Sequence, residues 1–447
     1  AMTERRRVTL TDYWQLLRGN RNYRLLWSAQ VISEIGDWFF TLALYNLLLD
    51  FTGKAESIGF AFVLQVLPQC LTAPAAGVLN DRLSRRKVMM FADLCRALII
   101  ACMLFVRTPA MLPLLYVLLF LETVMWGLFE PARSSIVPNI TTGDEVFVGN
   151  ALSSTTWSFN FAMGFTFGGI ALALLGREAV FAIDACSFIA SALIVRRMKF
   201  HEPHTEGHAP LHWRDLYDFK PILEGVRYVR RDARMLATLF VKSGNSIIAS
   251  NWVLLTMLGR DKFAVTWLGA APERAAALGV SLLMGSRGIG ALTGPILLGY
   301  IAGRNQTRQR YAILIGFVVA SLGYLILSQA PTMPIACLGI VIAHMGSTVT
   351  WVGSTTLLQI NTDDKFRGRV FSAEFGIAVI VMSLASSSAG VLIDRGWTPQ
   401  NVAGLTATLL LLPVLLWGLV LANWKRLESP RTPLLAPDEP TVPPLAP

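Results

Sequence analysis

Charge is scarce in this 447-residue chain: only 15% of its residues are Asp, Glu, Lys or Arg, against 53% hydrophobic. A soluble domain carries about 25% charged residues, so an ordinary water-soluble fold is excluded. Cysteine is also sparse. Cys70, Cys95, Cys102, Cys186 and Cys337 sit singly inside apolar runs with no CxxC spacing, which argues against structural zinc and a disulfide framework. Four of the five histidines, His201, His204, His208 and His212, fall in one polar stretch, 197–235, where they are read as solvated linker residues, so no metal site is expected. There is no GxxxxGK[ST] phosphate loop, zinc-protease signature or nucleophile elbow, hence no sign of ATP use, of a cofactor or of an enzyme. The basic N-terminal stretch lacks the apolar core of a cleavable signal peptide.

What the chain does have is long apolar runs. A hydrocarbon layer about 30 Å thick needs roughly 20 apolar residues per helical crossing. Twelve such runs lie near 25–50, 57–80, 87–106, 111–138, 148–175 and 178–196, then 236–258, 276–301, 311–329, 333–357, 369–393 and 400–423. The expected fold class is therefore an all-α membrane protein with twelve transmembrane helices. An even number of spans puts both termini on one side. That side carries 28 of the 39 Lys and Arg residues, and the opposite side seven. By the positive-inside rule the termini are cytoplasmic, and the net charge of +10 reflects topology rather than nucleic-acid binding.

Five units are expected: a terminal segment 1–24, six helices in 25–196, a linker 197–235, six helices in 236–423, and a tail 424–447. The tail is too rich in proline to build a core. Within the linker, Trp213, Leu216, Phe219, Ile222, Leu223 and Val226 fit an amphipathic helix lying on the membrane interface. The two halves share sequence. "GVLNDRLSRRKV" at 77 has a worn counterpart, "GYIAGRNQTRQR", at 299, and "SSIVPNITTGDE" at 134 aligns with "TTLLQINTDDKF" at 355. The two pairs are offset by 222 and 221 residues, the same to within one. Parallel six-span repeats with a long linker are a transporter plan, with the binding site between the halves.

The stretch 77–88 resembles the loop signature of the major facilitator superfamily, Gly-x-Leu-x-Asp-Arg-x-Gly-Arg-Arg/Lys-Lys. Gly77, Asp81, Arg82, Arg85, Arg86 and Lys87 match it, while Ser84 replaces its second glycine. "LLRGNRNYRLLWSAQVISEIGDWFF", "FEPARSSIVPNI" and "LLQINTDDKFRGRVFSAEF" resemble the exporter branch that contains enterobactin and macrolide efflux proteins. The resemblance implies a monomer of two pseudo-symmetric halves and a loop that latches the outward-open state. Asp81 would accept hydrogen bonds at a helix N-terminus, and the cations would pair across the seam. Gly303 stands where Asp81 would recur, so the latch is expected to be asymmetric. Gly164, Gly168 and Gly169 resemble an antiporter signature whose proline is replaced by Phe165.

A charge at the bilayer centre costs at least about 2.5–3.5 kcal/mol, so each one needs a reason. Gln30, Glu34, Asp37 and Thr41 recur at helical spacing, as do Glu122, Trp126, Glu130 and Arg133. Lys242, Asn245 and Trp252, and His344, Thr348, Trp351 and Thr355, mark two further faces. The resemblance implies that these four helices line a central cavity. Carboxylates held there are candidate proton carriers. Glu34 and Asp37, one turn apart, are expected to repel each other until a proton or a cationic substrate binds, and Glu130 is expected to pair with Arg133. His344 is a candidate relay. Asp93, Arg96, Asp184, Arg287 and Glu374 are assigned to the cytoplasmic helix ends or to inter-helix pairs.

The resulting expectation is proton-coupled export of an amphipathic or cationic small molecule across a bacterial inner membrane. A lipid or lysolipid flippase and a non-transporting membrane sensor or scaffold are the alternatives. The partners expected are substrate, protons and lipid.

Overall fold

The computed structural model describes residues 10–142, 145–202, 220–266, 272–303 and 305–427. Trp213, Leu216, Phe219 and the Pro-rich tail beyond 427 lie outside them, as do the side chains of Asp81 and Ile222.

A short amphipathic helix α1 (Leu10–Gly19) leads into the first span, α2 (Arg21–Thr52). The first half continues with α3 (Glu56–Arg82), α4 (Arg85–Met103), α5 (Leu112–Ile140), α6 (Glu145–Leu175) and α7 (Arg177–Arg196). After the linker helix α8 (Lys220–Val229), the seventh span is assembled from α9 (Ala233–Asn245), a 3₁₀ turn, α10 (Asn251–Met257) and a π turn. Helices α11 (Pro272–Ile301), α12 (Gln306–Gln329), α13 (Met333–Asn361), α14 (Asp364–Asp394) and α15 (Pro399–Ala422) complete the set. Among the described residues nine helices are long and apolar enough to cross a membrane by composition alone. The other three spans fall short for visible reasons. α2 and α4 carry Glu34, Asp37, Asp93 and Arg96, and the seventh span is broken at "SGNSIIASN", a run of small and polar residues that favour turns.

Side chains set the helix ends. Asn20 accepts from the Tyr23 amide, Ser84 from Lys87, Asp232 from Arg234, and Asn305 from Arg308. The backbone of Asp81 belongs to the last turn of α3, and its side chain, with the expected acceptor role, lies outside the described residues. An anion that is described at the start of α4 is Glu202. Glu202 accepts from the Arg86 amide at 3.4 Å and from the Ser84 hydroxyl. In the second repeat, Gly303 ends α11 in the left-handed region at φ +51°, a conformation that an aspartate adopts only with strain.

The two six-helix halves meet along two pairs, α3 with α14 and α6 with α11. On the face opposite the termini both contacts are tight. A Cβ on Gly390 would lie 2.6 Å from the Glu56 Cα, and one on Gly288, at mid-membrane, 2.6 Å from the Ala162 Cα. Asp394 of α14 also accepts the Ala55 and Glu56 amides, both at 2.8 Å, so one half caps a helix of the other. Glycines 164 and 168 seat against Trp38 and Phe39 of α2, and Gly169 against Ser281 of α11. Nearer the terminal face, Cβ atoms on Gly77 of α3 and Gly299 of α11 would meet nothing within 4 Å, so the close backbone packing lies toward the other end of the seam.

The described part of the linker helix packs on the second half. Tyr228 stacks on Phe366 with centroids 4.3 Å apart, Glu224 pairs with Arg369 at 2.6 Å, and Gly225 lies against the Arg369 carbonyl. Val226 joins a buried cluster with Val370, whereas Leu223 stays exposed. α8 thus rides on α14 as part of the second half.

Replacing Gly288 with valine would drive branched methyls into the α6 backbone, at about 1–3 kcal/mol. The thermal midpoint should fall. A cysteine introduced as Ser281→Cys, buried in the same seam, should react faster with an impermeant maleimide; unchanged reactivity would contradict this packing.

Candidate functional site

Two charge networks fill the first half. In the first, Arg96 of α4 donates through Nη2 to Asp37 of α2 at 2.6 Å and through Nε to Glu122 of α5 at 2.8 Å. Asp93 stands 4.0 Å away, and the guanidinium lies 3.9 Å over the Phe188 ring of α7. One side chain ties four helices together. Asp184 is buried beside this group, with Oδ2 unpartnered. In the second network, Arg133 grips Glu130 through both Nε and Nη2 and donates to the Gln30 carbonyl oxygen at 3.0 Å. The Gln30 amide donates to Glu34 Oε1 at 2.8 Å, and Asn160 of α6 donates to Oε2 at 2.9 Å.

These contacts revise the expected relation between Glu34 and Asp37. The two carboxylates belong to different networks: Asp37 meets an arginine, while Glu34 rests on two neutral amides. Among the described residues Glu34 has no ion-pair partner. Glu130 is held by Arg133, as its i,i+3 spacing implied.

In the second half, Lys242 donates to Glu374 of α14 at 2.7 Å and sits 4.7 Å from the Trp351 ring. Asn245 is buried at the end of α9. His344 joins neither network; it is buried within the second half beside Tyr324, with centroids 6.4 Å apart. Trp126 is half-buried on α5. Trp252 is the hub of an aromatic plug. Trp38, Tyr45, Phe62, Phe161 and Phe165, all from the first half, surround it at centroid distances of 5.2–6.4 Å. The broken seventh span thus places its tryptophan among the rings of the other half.

Of the residues assigned to helix ends or inter-helix pairs, Arg96 and Glu374 are in pairs. Arg287 is not. It lies mid-span on α11, with its guanidinium 4.3 Å from the Phe161 ring and 4.4 Å from the Trp252 ring. Its signal in the sequence was a lone cation at the centre of the run 276–301.

In the basic loop, Arg85 donates to the carbonyls of Asn80 and Ser135, and Arg86 to that of Met198, all inside the first half. Neither Arg85 nor Arg86 forms an ion pair across the seam among the described residues.

Removing the hub of the first network should strand buried carboxylates. Arg96→Leu is expected to cost about 3–5 kcal/mol, read as a large drop in thermal midpoint in detergent. Asp37→Asn should cost less than half of that, and the double variant should recover part of the loss. Additive losses would show that the pair is not coupled.

Comparisons with known proteins agree with this architecture. A family model described as Major Facilitator Superfamily matches residues 26–374. Macrolide efflux protein A of Streptococcus pyogenes is 22% identical over 83% of this chain and 89% of its own. The multidrug efflux pump Tap of Mycolicibacterium fortuitum is 24% identical over 91% and 96%. The match to the MFS-type transporter YkuC of Bacillus subtilis, 25% identical, spans 60% of this chain and 64% of that one. Among solved structures, a peptide transporter POT superposes with a TM-score of 0.70 at 14% identity, covering 91% of this chain and 95% of that one. The nucleoside transporter NupG superposes at 0.66 and 13%, covering 89% and 98%. With twelve spans in two halves and a family match over most of its length, the chain belongs to the major facilitator superfamily and is a multi-pass membrane transporter rather than an enzyme.

Proposed function

We propose that this transporter exports an amphipathic or cationic small molecule in exchange for protons, by alternating access, from the inner membrane of a bacterial-type cell. Both termini are placed in the cytoplasm by the excess of Lys and Arg on their side. The efflux relatives support the direction of transport.

One observation carries the coupling: Glu34 is a cavity carboxylate that the protein holds without a countercharge. A carboxylate in a low-dielectric site is stabilised either by a proton or by a cation. Asp37, Glu122 and Glu130 already have arginines, so they are committed to the structure. Glu34 is supported only by Gln30 and Asn160 and remains exchangeable. A cationic group arriving at Glu34 competes with its proton, and the competition couples the two fluxes. The aromatic plug supplies the apolar and cation–π surface for the rest of the molecule.

A second reading has its own observation. A groove of about 220 Å³ runs between the seventh span, α14 and α15, lined by Ile247, Leu384, Leu392, Val402 and Leu409. An acyl chain fits such a groove, and a lysolipid flippase would use it.

Inverted vesicles loaded with a pH-sensitive dye separate these readings. Cationic drugs, macrolides and siderophores are added in turn, with lysolipid as the comparison. Substrate-triggered proton movement that falls at least about ten-fold in Glu34→Gln, and less in a folded Asp37→Asn variant, is expected. Lysolipid translocation indifferent to pH, with silence from every soluble compound, would replace the exporter by the flippase.

A further inference from the structure

Arg287 is the mid-membrane cation that the protein leaves unmatched. Arg96, Arg133 and Lys242 each have a carboxylate within 2.9 Å. Arg287 has none within ion-pair distance among the described residues, and its Nη1 is buried without a hydrogen-bond partner. Such a group costs several kcal/mol of desolvation. Its guanidinium lies over the Phe161 ring from one half and the Trp252 ring from the other, two rings that are nearly perpendicular to each other. Neither ring supplies an acceptor for the unpartnered Nη1, and a guanidinium fork matches a carboxylate or phosphate oxygen pair.

Its position relative to Glu34 adds a second constraint. Asn160, which donates to Glu34, precedes Phe161, which stacks on Arg287. Trp38, one turn beyond Glu34, stacks on Trp252, the other ring against Arg287. An unmatched carboxylate and an unmatched guanidinium therefore flank one aromatic surface. Their complement is a molecule with a charge of each sign and an apolar body.

We propose that Arg287 binds an anionic oxygen group, carboxylate or phosphate, of the transported molecule, so that the substrate is a dipolar amphiphile with its cationic end at Glu34. This deepens the exporter reading and rests on it for the word substrate. The group could belong to a soluble metabolite or to a lysolipid headgroup.

The test is ligand binding to the full chain in nanodiscs, followed by tryptophan fluorescence, since Trp38 and Trp252 border the site. The probes are Nα-octanoyl-lysine and its amide, which lacks the carboxylate, and lysophosphatidylethanolamine. The acid should bind about ten-fold tighter than the amide. Arg287→Gln should abolish that preference, and Arg287→Lys should keep part of it, with thermal midpoints confirming that both variants fold. Stronger Arg287-dependent binding of the lysolipid would point to a bilayer source, and of the octanoyl probe to a soluble one. Equal affinity for acid and amide, or a preference that survives Arg287→Gln, overturns the proposal. No gradient is involved, so this outcome is independent of whether protons are coupled.

Discussion

An ionised group in hydrocarbon must find its countercharge inside the protein, and Arg96 meets that constraint for Asp37 and Glu122 in the first half. It sits where α2, α4, α5 and α7 converge, and it satisfies Asp37 and Glu122 while stacking on Phe188. Removing either partner of a buried pair leaves the other desolvated, which makes such a hub far more costly to break than a surface pair. The four helices consequently behave as one body. The Lys242–Glu374 pair does the same between α9 and α14 in the second half.

With each half held internally, the seam between the halves is left without ion pairs among the contacts described. There the contacts are of another kind: glycine against backbone, Asp394 capping α3 across the gap, and rings packed around Trp252. None of these is an ion pair, and all can part without stranding a charge in lipid. Arg287, which makes no ion pair, stands at this seam beside Phe161 and Trp252, and Glu34 is bonded to Asn160 of the seam helix α6.

Much of the fold was legible in the sequence because the bilayer imposes a length and a polarity on each span. The twelve runs and the two-half plan follow from that, and the Glu130–Arg133 pair follows from i,i+3 spacing. What was illegible depends on distance along the chain. Arg96 and Asp37 are 59 residues apart and Lys242 and Glu374 132 apart, so no periodicity links them. Glu34 and Asp37 looked like one repelling pair because spacing shows a shared helix face but not the arginine waiting on another helix. Glu202 reaches the start of α4 from beyond α7, and only the tertiary fold reveals that an anion from so far along the chain sits there. Arg287 was visible as a costly charge, yet its two aromatic neighbours come from different halves.

The most direct test of the seam's role is a pair of spin-label distances in lipid. One pair, at Lys54 and Arg395, spans the face opposite the termini; the other, at Leu83 and Asn305, spans the terminal face. Alternating access driven at the unmatched carboxylate predicts opposite changes on shifting from pH 8 to pH 5: the first distance lengthens as the second shortens, and Glu34→Gln suppresses the response. Distances that stay fixed, or that change in the same sense on both faces, would contradict it.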